Sequence, residues 1–292
     1  MEFGEQLALA AAFIWSVAVI LIRISGLVIA PLPLTIFKSA LAVVFFAVTM
    51  PFLDAPLIPE LSSKEWLQLI ASSVLGISVA DTMVVAALNK LGASLHAIAD
   101  CLYAPSMAVV GFFLLDQSLT RWEVLGGVLV VSGVAVGMRL TEEVTDVKTL
   151  VLGVLLAGGA HVIMAVGILM VREIYAAHSV VWVSGVRFLI ATVVLIVYGL
   201  TLGPEAKIWD GFQRKDMWKW MIPMSFLGPY MATMFWASGF VYAKAGRAAL
   251  LNQMSTVFVM LLAWLILKEK LTPRKMIGIA LAVAGAVVVG TH

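Results

Sequence analysis

The chain has 292 residues, of which 62% are hydrophobic and only 12% charged, and its formal net charge is +2. An ordinary soluble domain carries about 25% charged residues, so these charges are too few to cover a water-facing surface. The mean hydropathy of +1.06 indicates a polytopic membrane protein. No basic patch is interleaved with aromatic residues, so nothing points to a nucleic-acid partner. The single cysteine, Cys101, excludes an internal disulfide.

Ten hydrophobic runs are predicted to cross the membrane as helices, since each approaches the roughly 20 apolar residues that a span requires. Their apolar residues are continuous rather than alternating, which favours helices over a barrel. In chain order the runs are 7–24, 33–53, 66–88, 93–115, 122–138, 150–171, 180–202, 217–242, 248–267 and 276–290. The preceding residues, MEFGEQ, lack the positive charge of a secretory leader, so we expect the first run to be retained.

The hydrophobic pattern occurs twice in the chain. The stretch 116–137, DQSLTRWEVLGGVLVVSGVAVG, aligns with 268–289, KEKLTPRKMIGIALAVAGAVVV, at an offset of 152, with seven of 22 positions identical. The earlier parts align at an offset of 149, which places Arg23 on Arg172 and Lys38 on Arg187. We therefore predict a first repeat over 1–140, a polar linker, TEEVTDVKT, over 141–149, and a second repeat over 150–292.

An odd number of helices in each repeat has a topological consequence. With five helices, the second repeat enters the membrane from the opposite side, and such inverted repeats hold a substrate site between the halves near the midplane. A fused pair already contains a complete site, so a monomer would suffice. The loops after odd-numbered helices hold twelve Lys and Arg residues and the others five, which by the positive-inside rule places both termini away from the cytoplasm.

Motifs at matching places in the two halves suggest a family. They are Trp15-Ser16 in helix 1, Lys38 in helix 2, APSMAVVGFFLLDQSLT in helix 4, Arg187 in helix 7, and STVFVMLLAWLILKEKLT in helix 9 with Gly278 and Gly285 after it. Together they resemble the drug/metabolite transporter superfamily, in its ten-helix EamA-type branch. The sequence departs from that pattern at Gln117, where an acid is usual, and at Val257, where a proline is usual.

The resemblance implies a multi-pass transporter of the bacterial inner membrane. Its relatives move metabolites, amino acids, drugs or nucleotide sugars, and many are exporters. They are generally drawn with both termini in the cytoplasm, which opposes the orientation that the loop charges favour. The orientation therefore stays open.

Two acids inside predicted spans are the first candidates for a site, because a charge at the bilayer centre costs roughly 2.5–3.5 kcal/mol. Asp81 lies ten residues before Leu91 and Asp100 nine after it, so the two carboxylates are predicted to lie at similar depth. Their helix faces carry three further polar residues, Ser78, His96 and Tyr103. The cluster could bind a substrate ammonium group or a proton; the alternative is a helix–helix hydrogen bond made by a neutral acid.

The second half offers neutral polar groups where the first offers acids. The offset of 152 places Asn252 on Asp100 and Thr233 on Asp81, with Gln253 and Tyr230 nearby. An acidic wall facing a hydrogen-bonding wall suits a zwitterionic or cationic solute. The alternative is that these groups hold helices together.

Cations and aromatic residues complete the predicted site. Lys38 and Arg187 lie five to seven residues into their helices, a depth that allows snorkelling or pairing with an acid, and the alternative is a gate or an anion site. Trp15 and Trp236, like the two tyrosines, could hold a cation by the ring face or could be ordinary packing residues.

These features favour a secondary transporter that works by alternating access, with a small-molecule substrate and membrane lipid as partners. Proton coupling and export are expected; uptake or facilitated movement of another solute class, such as a nucleotide sugar, remains an alternative. No GxxxxGK[ST] pattern is present, so no ATP motor is expected. An intramembrane enzyme using Asp81 and Asp100 is a weaker alternative, since HExxH and GxSxG are absent. No cofactor or metal is expected.

Overall fold

The described part of the computed structural model, residues 3–52, 59–115, 118–141, 144–242 and 251–291, is helical and contains no strand. The α-helices are α1 (Phe3–Gly26), α2 (Pro31–Thr49), α3 (Ser63–Ser73), α4 (Ala80–Asp100), α5 (Tyr103–Leu115), α6 (Arg121–Gly137), α7 (Val147–Met170), α8 (Arg172–Ala177), α9 (Val180–Thr201), α10 (Asp210–Gln213), α11 (Trp218–Ser225), α12 (Thr233–Tyr242), α13 (Met254–Leu262) and α14 (Pro273–Thr291).

Three π-helical segments interrupt or extend these helices. Val74–Val79 joins α3 to α4, Phe226–Ala232 joins α11 to α12, and Ala263–Leu267 extends α13. The first two begin 152 residues apart, which is the offset at which the sequence repeats. A π segment adds a residue to a helical turn and so rotates every following side chain about the helix axis.

Among the residues that the structure describes, five helical stretches are long and apolar enough to cross a membrane, which makes this a multi-pass membrane protein. They are Phe3–Gly26, Pro31–Phe52, Ser63–Asp100, Val147–Met170 and Val180–Thr201, and shorter apolar helices include Tyr103–Leu114 and Met254–Leu267. The predicted runs 66–88 and 93–115 differ from what is observed. Helix α4 runs across the gap between the two predicted runs and is kinked at Gly92, whose φ of 76° suits a residue without a Cβ. The second predicted run is interrupted at Cys101, between the end of α4 and the start of α5.

Side-chain caps fix where several helices begin. Ser62 and Glu65 form a reciprocal capping box at α3, and Thr120 and Glu123 form another at α6. Asp146, in the predicted linker, accepts a hydrogen bond from the backbone N–H of Thr149 at the start of α7. These caps satisfy N–H groups that have no partner within the helix.

The helices from the two halves of the sequence pack against one another. Helix α1 contacts α11, α12 and α13, helix α2 contacts α9, and helix α4 contacts α7. One apolar cluster joins Ile20 of α1 and Leu88 of α4 to Met221 of α11 and Val259 of α13. The space between the halves is therefore enclosed by helices from both.

Small residues allow α6 and α14 to approach closely. A Cβ added to Gly126 would lie 2.6 Å from the carbonyl oxygen of Gly285, and one added to Gly133 would lie 2.5 Å from the nitrogen of Ala282. The neighbouring Gly127 faces elsewhere, since its added Cβ would meet only Pro105 Cβ, at 3.7 Å.

This packing predicts opposite results for two adjacent glycines. Gly126→Ala should lower the free energy of unfolding by about 1–3 kcal/mol, because α14 backbone must move away. Gly127→Ala, the matched control, should change it by less than about 1 kcal/mol, in the stabilising direction if at all. Unfolding in mixed dodecyl maltoside and sodium dodecyl sulfate micelles measures both. Equal losses in the two variants would show that α6 and α14 are not packed as described.

Candidate functional site

A cavity of about 260 Å³ lies between the two halves of the chain. Its wall takes residues from α1, α2, α4, α5, α7, α8, α9, α12 and α13, from both interhelical π segments and from the residues just before α13. Ten of the residues predicted from the sequence line it: Trp15, Lys38, Asp81, Asp100, Tyr103, Arg187, Thr233, Trp236, Asn252 and Gln253.

Lys38 and Asp81 form a buried ion pair on one wall. The ammonium nitrogen of Lys38 donates to Oδ2 of Asp81 at 2.5 Å, and the lysine is 1% exposed. Pairing with an acid was one of the two interpretations of Lys38 that the sequence allowed. Each charge needs the other, because an unpaired charge in an apolar interior is costly. Asp81 is thus held by Lys38.

Asp100 faces two imidazole rings on a different part of the wall. Its Oδ1 atom lies 3.5 Å from Nε2 of His96, one turn earlier in α4, and 3.1 Å from Nε2 of His161 on α7. The His161 ring is turned so that this close approach does not give a well-aligned hydrogen bond. Tyr103 packs edge-on against the His161 ring, with 5.8 Å between centroids. Three titratable groups therefore meet at one point of the cavity.

His161 was not predicted as a site residue. It stands alone among the apolar residues of α7, and no polar neighbour on its own helix marks it. Its partner, Asp100, is 61 positions earlier in the chain, so only the packing of α4 against α7 brings the two together. His96 is 1% exposed, and it lies behind Asp100 rather than on the cavity wall.

Arg187 lies at a third place on the wall, among neutral groups. Its Nη1 donates to the hydroxyl of Tyr175 at 3.0 Å, and its guanidinium lies over the Tyr175 ring, 5.8 Å from the centroid. The Tyr175 hydroxyl also hydrogen-bonds with Ser184 Oγ at 3.1 Å. A Cβ on Gly76 would lie 3.0 Å from Arg187 Nη2, so the backbone of the first π segment lies close to the guanidinium.

Tyr175 and Ser184 were also missed by the sequence analysis. Ser184 lies three residues before Arg187, which places the two on one face of α9 and is a signal that could have been used. Tyr175 lies on the short helix α8, outside the hydrophobic runs, and carries no such signal.

The second half contributes amides, a hydroxyl and an indole to the cavity wall. The side-chain nitrogen of Gln253 donates to Thr256 Oγ1 at 3.2 Å and to Cys101 Sγ at 3.3 Å. Asn252, Thr233 and Trp236 also face the cavity. Since Cys101 belongs to the first half, the Gln253 side chain links the two halves at this point.

Besides His96, two predicted residues lie away from the cavity wall. Ser78 donates to the carbonyl oxygen of Ala191 at 3.3 Å, and the hydroxyl of Tyr230 lies 2.6 Å from that of Thr49. Ser78 therefore does not join Asp81 on the cavity wall. Ser78 and Tyr230 fall inside the segments Val74–Val79 and Phe226–Ala232, where π turns shift side chains off the face that α-helical spacing predicts.

One end of the bundle is closed around the Gly92 kink. Both carboxylate oxygens of Glu269 accept backbone hydrogen bonds, from Ala93 N at 2.7 Å and from Ser94 N at 2.8 Å. Arg23 donates to the carbonyl oxygen of Asn89 at 2.8 Å. We name residues 88–94 with Arg23 and Glu269 the Gly92 latch. Gln117, which the 152 offset places on Glu269, lies outside the described residues.

The latch joins both halves of the sequence. Glu269, from the second half, caps helix residues of the first, while Arg23 holds the carbonyl groups that end the preceding helical stretch. Orphan N–H and C=O groups at helix ends need such partners in lipid. Within the described ranges, no group of three His, Cys, Asp or Glu residues could hold a metal ion.

The model of the EamA-like transporter family matches this chain twice, over residues 2–138 and 151–291. The chain belongs to the EamA-like transporter family. A curated relative, the uncharacterized transporter YetK of Bacillus subtilis (strain 168), is 29% identical over 126 residues, which span 43% of this chain and 36% of that protein. Membership of this family makes the chain a membrane transporter.

A solved structure has the same fold as this EamA-like transporter. It superposes with a TM-score of 0.69 over 98% of this chain and 95% of that one, at 20% sequence identity. At this identity the likeness concerns the fold alone. It extends over nearly the whole helical bundle that encloses the cavity.

The Lys38–Asp81 pair predicts strong coupling in a double-mutant cycle. Lys38→Met and Asp81→Leu should each lower the free energy of unfolding by about 3–5 kcal/mol, because each leaves a buried charge without its partner. The double variant should lose much less than their sum. Unfolding in mixed micelles measures all four proteins.

The exposed pair of Arg214 and Asp216, 3.2 Å apart, is the control for that cycle, and it should show no measurable coupling. Additive losses at Lys38 and Asp81 would contradict the buried pair.

Glu269→Ala should loosen the Gly92 latch. We expect a cysteine at position 94, in a Cys101→Ser background, to react with a maleimide at least about tenfold faster when Glu269 is alanine, because two N–H groups lose their cap. Ser94 is fully buried and its hydroxyl makes no described hydrogen bond, so the cysteine itself is tolerated.

A cysteine in place of Ser73, about 30 Å away by helical rise, is the control for this experiment and should keep its rate. An unchanged rate at position 94 would show that Glu269 does not keep this end closed.

Proposed function

We propose that this EamA-like transporter is a secondary transporter that moves a small cationic or zwitterionic solute across the bacterial inner membrane by alternating access. The proposal includes ten spans arranged as two inverted five-helix repeats, 1–140 and 150–292, joined by the linker 141–149. The observation that carries it is the cavity between the halves, whose wall holds ionisable side chains away from lipid. Ionisable groups in that position are typical of solute and ion pathways.

Three observations support the two repeats. The family model matches two segments of similar length, 2–138 and 151–291. Two π segments begin 152 residues apart, at Val74 and Phe226. The glycines that pack α6 against α14, Gly126 and Gly133, correspond to Gly278 and Gly285 at the same offset. Structural irregularities and packing faces thus recur with the sequence period.

The chemistry of the wall supports a small polar solute with a positive charge. Asp100 supplies a carboxylate, Trp15 and Trp236 supply ring faces, and Asn252 supplies an amide. The volume of about 260 Å³ lies below the roughly 300–1,000 Å³ of sites for drug-sized ligands. It therefore favours a solute of amino-acid size over a nucleotide sugar.

The Gly92 latch supports alternating access. The contacts that Glu269 makes with Ala93 and Ser94 join the two halves at one end. They are few, polar and confined to one turn, so a rocking motion can break them without disrupting the apolar clusters. We assign the latch as the gate of this end.

Proton coupling is proposed at Asp100. Its carboxylate lies within 3.5 Å of two imidazoles, so a proton can pass between Asp100, His96 and His161 without leaving the site. A solute ammonium group and a proton would compete for the same carboxylate, which couples their movements in opposite directions. The direction we propose is export in exchange for protons.

Asp100→Asn should abolish proton-driven transport. In proteoliposomes, an imposed pH gradient should drive one or more of a panel of amino acids and primary amines through the wild type, and the variant should lose at least about tenfold of that rate. Asp146→Asn is a matched control, since asparagine caps a helix as well as aspartate does. Proton-driven transport that is undiminished in Asp100→Asn would overturn the coupling role.

A further inference from the structure

The charges on the cavity wall are not all paired within the described residues. Lys38 and Asp81 neutralise each other at 2.5 Å. Asp100 has His96 and His161 beside it. Arg187 has no carboxylate within 4 Å in the part of the chain that the structure describes, although it is only 8% exposed. Within these ranges Arg187 thus has no carboxylate in contact, and Asp100 has no lysine or arginine in contact.

The hydrogen bonds of Arg187 leave donors unused. A guanidinium has five N–H donors in a fixed planar fork. Within the described ranges, Nη1 donates to Tyr175 Oη at 3.0 Å, Nη2 reaches the carbonyl oxygen of Ser72 at 3.5 Å, and Nε is buried with no partner. Both acceptors are neutral. A buried guanidinium held only by neutral acceptors keeps most of its desolvation cost.

Tyr175 and Ser184 fix the direction of this guanidinium. Its Nη1 hydrogen bond to Tyr175 Oη, and the 3.1 Å contact of that hydroxyl with Ser184 Oγ, hold the group on the cavity wall. On its other side the guanidinium lies against Gly76, where a side chain would crowd it, since an added Cβ would lie 3.0 Å from Nη2. The fork is thus preorganised for a ligand rather than free to move to the interface.

We infer that Arg187, positioned by Tyr175 and Ser184, binds the carboxylate of the transported solute, which is an amino-acid-like zwitterion. A planar carboxylate matches the guanidinium fork with two parallel hydrogen bonds. A single arginine balances one negative charge, and Lys38 is already occupied by Asp81, so a doubly charged phosphate is not matched. Asp100 supplies the opposite charge for the ammonium group. This inference rests on the proposed function and narrows its solute class.

The decisive comparison uses solutes that differ by one group. We would titrate the purified wild type with L-leucine, 3-methylbutylamine and 4-methylpentanoate, and with L-tryptophan, tryptamine and 3-indolepropionate, by isothermal calorimetry in detergent. At least one amino acid should bind, and its amine and its acid should each bind about 10–100-fold more weakly, because each lacks one charge-assisted contact.

Variants of Arg187 locate the carboxylate contact. Arg187→Gln should lower the affinity for the amino acid to that for its amine while leaving amine affinity unchanged, and Arg187→Lys should fall between, because lysine keeps the charge without the fork. Tyr175→Phe removes only the positioning hydroxyl, and it should weaken amino-acid binding less. If Arg187→Gln does not fold, the wild-type comparison and Tyr175→Phe still decide.

The outcomes separate this inference from the proposed function. Amines that bind the wild type as tightly as their amino acids would overturn the carboxylate site while leaving a cation transporter in place. Amino-acid affinity that survives in a folded Arg187→Gln would also overturn it. Failure of every amino acid and amine to bind would overturn both the site and the proposed solute class.

Discussion

The need to neutralise charge inside an apolar bundle underlies the arrangement of this protein. The buried pair of Lys38 and Asp81 meets that need within the chain, at 2.5 Å and with the lysine 1% exposed. Because a buried charge without a partner is costly, the pair fixes α2 against α4 at the depth of the cavity. The remaining charges, on Asp100 and Arg187, face the cavity, and they too need a partner of opposite charge. In the function that we propose, their arrangement on the wall selects the solute.

The two halves depend on each other in the same way. Glu269 satisfies backbone N–H groups near Gly92, Gln253 bonds to Cys101, and His161 lies against Asp100. Each contact joins a residue of one half to a residue of the other, and each lies at the cavity or at its closed end. Glycine packing between α6 and α14 is apolar and extensive, so these two helices are suited to stay in contact during the proposed rocking motion. The polar contacts of Glu269, Gln253 and His161 are few, so they are suited to break in that motion.

The sequence predicts those features that repeat locally or at a fixed offset. Hydrophobic runs predict the membrane helices, the glycine spacing predicts the α6–α14 contact, and intramembrane charge points to Asp81 and Asp100. Helical spacing fails for Ser78 and Tyr230 because π segments rotate them off the expected face. The pairing of His161 with Asp100 could not be predicted, because only packing between distant helices brings the two together. Tyr175 could not be predicted, because it lies on a short helix outside the hydrophobic runs. Neither a period nor a motif marks such contacts.

A reversible cross-link between the two halves beside the Gly92 latch tests the central claim, that this end must open during transport. A Cβ on Gly153, in the second half, would lie 2.6 Å from Cγ of Leu91 in the latch, so cysteines at these two positions, in a Cys101→Ser background, are close enough to bridge. We predict that oxidation stops solute transport in proteoliposomes, that a reducing agent restores it, and that each single cysteine has no effect. Undiminished transport with the cross-link complete would contradict alternating access through this end.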